Sequence, residues 1–86
     1  MDLLERTLKQ LTNSELKWYK KAIIIQYYHL AKLAENKRRS FAETGRDLNL
    51  SKAYISEAIK LSHGISSNPS LISLSRKHAL DKVRSL

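Results

Sequence analysis

Residues 1–44 contain neither glycine nor proline. The chain's two glycines and single proline stand at Gly45, Gly64 and Pro69. These two residue types are the strongest local interruptions of a helix. A first half free of them reads as nearly uninterrupted helix. Ile23 to Ile25 and the pair Tyr27 and Tyr28 would also suit a strand, but the length and the lack of turn signals from 14 to 36 favour helix,. The expected fold class is therefore all-α, a small bundle of about five helices in a single domain over residues 1–86, since a chain this short encloses one core. No cysteine occurs, which removes disulfides, thiolate chemistry and cysteine-ligated zinc.

Apolar spacing places the elements. Leu3, Leu4, Thr7, Leu8 and Leu11 recur at intervals of three and four and predict a first helix over residues 2–11,. Thr12, Asn13 and Ser14 supply capping groups with Glu15 behind them, so a second helix is expected from residue 13 or 14 to Asn36,. Its main stripe is Leu16, Tyr19, Ile23, Tyr27, Leu30 and Ala34, and a second apolar face carries Trp18, Ala22, Ile25 and Leu33. Lys37 to Ser40 reads as a connector, followed by short helices over 41–48 and 51–61. Gly64 suits a left-handed helix stop, and Asn68-Pro69 suits a cap with proline in the first turn of a last helix over 69–84,.

Sixteen Lys and Arg oppose eight Asp and Glu, a formal charge of +8. Such an excess favours a polyanionic partner, nucleic acid first. The charge divides as +2, +3 and +3 over residues 1–36, 37–60 and 61–86, which fits a folded basic surface better than a basic tail. Ala22 to Ile25, the longest apolar run, is far below the roughly 20 residues that span a bilayer. The N-terminal residues lack the basic-then-apolar order of a secretory signal. The expected location is cytoplasmic and nucleoid-associated, with no membrane partner.

Residues 41–60 fill the positions that a helix-turn-helix requires. The first helix needs a small residue where the second approaches it (Gly45) and a large apolar one in its last turn (Leu48). The turn needs a residue tolerant of positive φ (Asn49), then an apolar plug (Leu50) and a cap (Ser51),. Ile55 with Ala58 or Ile59 faces inward,. This segment, Phe-Ala-Glu-Thr-Gly-Arg-Asp-Leu-Asn-Leu-Ser-Lys-Ala-Tyr-Ile-Ser-Glu-Ala-Ile-Lys, resembles the helix-turn-helix of phage Cro-type repressors. Its stretch Asn-Leu-Ser-Lys-Ala-Tyr-Ile-Ser also resembles the ParB and KorB type of partition protein. The match departs from the usual pattern at Gly45, where alanine is commoner, and at Asn49, where glycine is.

The resemblance implies sequence-specific binding of double-stranded DNA by a transcriptional regulator, a repressor for instance, or by a partition or replication accessory factor of a mobile element. It puts Ser51, Lys52, Ala53, Ser56, Glu57 and Lys60 at the bases. The apolar pattern of the second helix leaves the same residues outward. Lys52 suits guanine, Ala53 a thymine methyl and Glu57 cytosine N4. Lys37, Arg38, Arg39 and Ser40, with Arg46 and the Tyr54 hydroxyl, are expected at phosphates, although packing is an equal use for Tyr54. The alternative function is a helical adaptor that binds an acidic protein partner through helix 2 and the basic surface.

No enzyme site is expected. His29, His63 and His78 are too scattered to form a metal set, no serine elbow or phosphate-cradling glycine loop occurs, and no cofactor or small-molecule ligand is evident,. One helix-turn-helix reads only about four or five base pairs, so a symmetric homodimer is expected. The apolar residues in excess of a small core point to its interface. Leu71, Leu74, Leu80, Val83 and Leu86 of the last helix come first, with Trp18 and Ile25 of helix 2 as the alternative,. The competing expectation is that these residues complete one core.

Overall fold

In a computed structural model that describes residues 2–85, the chain is helical, with no strand among those residues. α1 spans Leu3–Leu11, α2 Trp18–Glu35, α3 Phe41–Leu48, α4 Lys52–Ser67 and α5 Arg76–Arg84. A 3-10 turn, Pro69–Ser73, lies between α4 and α5. Asp2 caps α1 by accepting the Glu5 N–H at 2.8 Å,. As its spacing predicts, α1 turns Thr7 inward with Leu4, Leu8 and Leu11 beside it. α4 packs against α2, α3, α5 and the 3-10 turn, and its Ile55, Ala58 and Leu61 join Ile25, Tyr28 and Leu48 in the core.

Three boundaries differ from expectation, each for a local reason. The second helix starts at Trp18 and not at residue 13 or 14. The Asn13 side chain accepts the Glu15 N–H at 3.0 Å and its carbonyl accepts the Leu16 N–H at 3.1 Å, so the capping residues close a turn of their own before α2 begins. α4 runs through Gly64 to Ser67. That glycine is in no left-handed stop: a Cβ there would come within 2.7 Å of Val83 Cγ2 and 3.2 Å of Leu71 Cδ1, so its bare backbone lets α5 and the 3-10 turn pack close,. The last helix is broken at Leu74, which is extended at φ −95°, ψ 164°. The Trp18 indole N–H donates to the Leu74 carbonyl at 3.0 Å, and Ser75 then caps α5 by accepting the His78 N–H.

The faces of α2 are the reverse of those expected. Ala22, Ile25, Tyr28 and His29 are buried, whereas Tyr27 and Leu30 of the supposed main stripe are 68% and 48% exposed. The residues assigned to a dimer interface are used inside one chain: Ile25, Leu71 and Leu80 are buried, and Trp18, Leu74 and Val83 pack against them. Leu86 lies outside the described residues. The competing expectation, a single completed core, describes these side chains.

Candidate nucleic-acid interface

α3 and α4 meet through the turn that the sequence pattern anticipates. Ser40 opens α3 with a reciprocal cap, its hydroxyl accepting the Glu43 N–H while the Glu43 carboxylate accepts the Ser40 N–H, both at 3.1 Å,. α3 ends at Asn49, which sits at φ 58°, ψ 44° and is the one non-glycine residue at positive φ among those described. The chain then folds back so that the Leu50 N–H donates to the Gly45 carbonyl at 2.8 Å. A Cβ on Gly45 would lie 2.5 Å from the Leu50 carbonyl oxygen. Glycine at this slot is therefore set by the close approach of the turn. Ser51 caps α4 by accepting the Tyr54 N–H at 3.0 Å.

This geometry leaves Ser51, Lys52, Ala53 and Lys60 exposed and Ser56 half-buried. Lys52, Ser56 and Lys60 fall in one row at intervals of four, along the side of α4 opposite Ile55, Ala58 and Leu61,. Arg46 is exposed at the end of α3 and, with Lys52, flanks a shallow recess of about 520 Å³ formed over Gly45, Asn49, Leu50 and Ser51. Lys37 and Arg38 are exposed in the connector. Two cationic side chains beside the first turn of a helix suit an anionic oxygen.

Four of the expected contacts are engaged elsewhere. Arg39 is turned inward by the connector, where the Asn36 side chain accepts the Arg38 N–H and the Asn36 carbonyl accepts the Arg39 N–H. Its guanidinium, 12% exposed, pairs with Asp47 and donates to Thr44 Oγ1 at 3.1 Å. Arg39 is thus engaged as a structural cation within the chain. Ser40 is occupied by Glu43, as its cap requires. Tyr54 packs on the core with the Arg76 guanidinium 4.6 Å above its ring, which is the packing use. Glu57 accepts from Arg76 at 3.1 Å and from Arg84 at 2.8 Å. Those arginines hold its carboxyl below the usual range, Arg76 through its hydrogen bond above all, and draw it away from a base-reading role.

Sequence reasoning missed the polar cluster behind Arg39. The Tyr28 hydroxyl donates to Asp47 at 2.7 Å. Thr44 Oγ1, which accepts from Arg39, has its own hydrogen free for His29 Nδ1 at 2.7 Å. One signal was available: Thr44 stands one turn before Leu48 on the core face of α3, and a hydroxyl there needs a partner. Hydrogen bonds to Tyr28 and Arg39 hold the Asp47 carboxyl below its usual range, and burial, then the nearby Arg39 charge, depresses His29. A groove of about 560 Å³ between α4 and α5, lined by Lys60, His63, Gly64, Leu71, Lys82 and Val83 among others, was also not anticipated. Among the described residues no group of side chains is arranged to hold a metal ion, and no helix is long and apolar enough to cross a membrane. No protein-family model matches the chain, and no curated protein or solved structure shows significant similarity to it.

Proposed function

We propose that this chain binds double-stranded DNA in a sequence-dependent manner, α4 entering the major groove, in the service of transcription regulation or of partition or replication of a mobile element. One observation carries the reading. The α3–turn–α4 unit, fixed by Asn49 and by the Gly45–Leu50 contact, presents Lys52, Ala53, Ser56 and Lys60 outward, with Arg46 at the turn and Lys37 and Arg38 before α3. Bases fall to the α4 residues and phosphates to the other three cations.

Fluorescence anisotropy with duplex DNA, first of random sequence and then of sites selected from it, tests the proposal. Log affinity should fall linearly with log salt concentration, as counterion release requires. Lys52→Ala should weaken the selected site by about 1–3 kcal/mol and relax base choice at one position. Arg46→Ala should weaken all sequences alike and reduce the salt slope by about one. Absence of binding at physiological salt, or equal losses from both variants on selected and random DNA, would remove the reading of α4.

A further inference from the structure

The groove between α4 and α5 joins an apolar lining to a cationic rim. Leu71, 2% exposed, and the half-buried Ile59 and Val83 supply the lining, and the groove encloses about 560 Å³, a size suited to a small molecule. Lys60 and His63 of α4 and Lys82 of α5, all exposed, supply the rim. His63 is tied back to α2. The Ser62 hydroxyl donates to Gln26 Oε1, which turns the Gln26 amide nitrogen toward His63 Nε2 at 3.3 Å. That nitrogen is a donor, so the imidazole proton stands on Nδ1 and the ring keeps an N–H of its own.

The charge on the rim is not balanced from within. Lys60 follows Glu57 at a spacing where a helix ordinarily pairs the two. Here the Glu57 carboxylate turns to α5, accepting from Arg76 and Arg84 at 3.1 and 2.8 Å. Neither Lys60 nor Lys82 enters an ion pair among the described residues. Asp81 precedes Lys82 but does not line the groove, and no other Asp or Glu lines it. Two ammonium groups without a counter-ion thus border an apolar cleft. Water satisfies the ammonium groups and leaves the apolar lining wet, and a neutral apolar molecule does the reverse. An apolar body with one anionic head satisfies both.

We infer that this groove binds a small apolar monocarboxylate, its hydrocarbon body over Leu71, Ile59 and Val83 and its carboxylate held by Lys60 and Lys82. The site stands on the groove alone, whether or not the chain binds DNA. An acyl chain and an aromatic acid share this chemistry. Both are titrated into the full chain as decanoate and naphthoate, alongside their uncharged amides and acetate, with backbone amide shifts followed by NMR. At least one acid should move the amides of Gly64, Ser67, Leu71 and Val83 saturably, and the tighter of the two names the body as acyl or aromatic. Acetate, which has the head without the body, should leave those amides in place. The uncharged amide of the tighter acid should bind more weakly by about fivefold or more. Lys60→Met and Lys82→Met keep an apolar stem and remove the charge, and both sites are exposed, so the fold should be unchanged. Each should weaken the acid by about fivefold and leave its uncharged amide unaffected. No saturable shift from either acid at millimolar concentration would overturn the inference. So would an acid that binds no tighter than its amide, or one whose shifts gather at Tyr27 and Leu30 of α2.

Discussion

Gly45 and Asn49 secure one turn by opposite means, the first by lacking a side chain and the second by tolerating a backbone that most side chains resist. Gly45→Ala gains about 1 kcal/mol of helix propensity but drives a methyl against the Leu50 carbonyl, at an overpacking cost of roughly 1–3 kcal/mol. A lowered melting temperature is the expected net result, and an unchanged or raised one would show that the turn relaxes freely. At Asn49, with φ 58°, glycine should be neutral or stabilising and valine should cost about 1–2 kcal/mol, because a β-branched side chain is strained at positive φ. Equal melts for these two variants would contradict the left-handed turn. The cations separate just as cleanly. Arg39→Ala leaves Asp47 and Thr44 without their guanidinium and should lower stability by about 1–3 kcal/mol. Arg46→Ala, at an exposed site, should leave the melt within about 0.5 kcal/mol and show its effect only on DNA.

At the scale of elements, the sequence disclosed what local patterns control and obscured what tertiary contacts decide. α1, α3, the turn at Asn49 and the Ser51 cap were legible because each follows from caps and spacing within a few residues. The facing of α2 was not, since both of its sides are apolar and only the packing of α4, α1 and α3 selects Ala22, Ile25, Tyr28 and His29 as the inner one. Gly64 and Leu74 were misread for the same kind of reason: close approach by Val83 explains the glycine, and a bond from Trp18, far away in sequence, holds the break before α5. Of the candidate interface, the outward row on α4 was legible, whereas the fates of Arg39 and Glu57 depended on partners in other elements. Glu57 now ties α4 to both ends of α5 through Arg76 and Arg84. Glu57→Gln keeps the shape and removes the charge. It should loosen α5 with a stability loss of up to about 1 kcal/mol, these pairs being partly exposed,, and amide exchange in α5 should rise relative to α3. Uniform exchange across both helices would show that the arginines do not fasten α5.

For the whole molecule, the buried cluster and the Glu57 pairs set how stability depends on pH. His29 is 5% exposed, and its Nδ1 faces the Thr44 hydroxyl that Arg39 already engages. Its folded-state pKa lies below the ordinary 6.5, chiefly through burial. As pH falls through 6.5 the unfolded chain takes up a proton that the folded chain refuses, so His29 makes stability fall with acidification from that point. Asp47 and Glu57 are held below their ordinary 3.8 and 4.5. Their contribution is fully present above those values and is lost as pH drops further, through the folded-state values. At the alkaline end Tyr28 is pushed up from 10.0 to about 12 by burial and then by Asp47, so its contribution is intact below pH 10 and lost as pH rises through about 12,. Melting temperature should therefore be highest between neutrality and pH 10, with an acid decline in two stages. His29→Gln separates the stages: it should abolish the dependence that begins at 6.5 and preserve the one below 4.5. If that variant and the wild type fall together between pH 7 and 5, the first stage does not originate at His29, and the buried neutral imidazole is excluded as its cause.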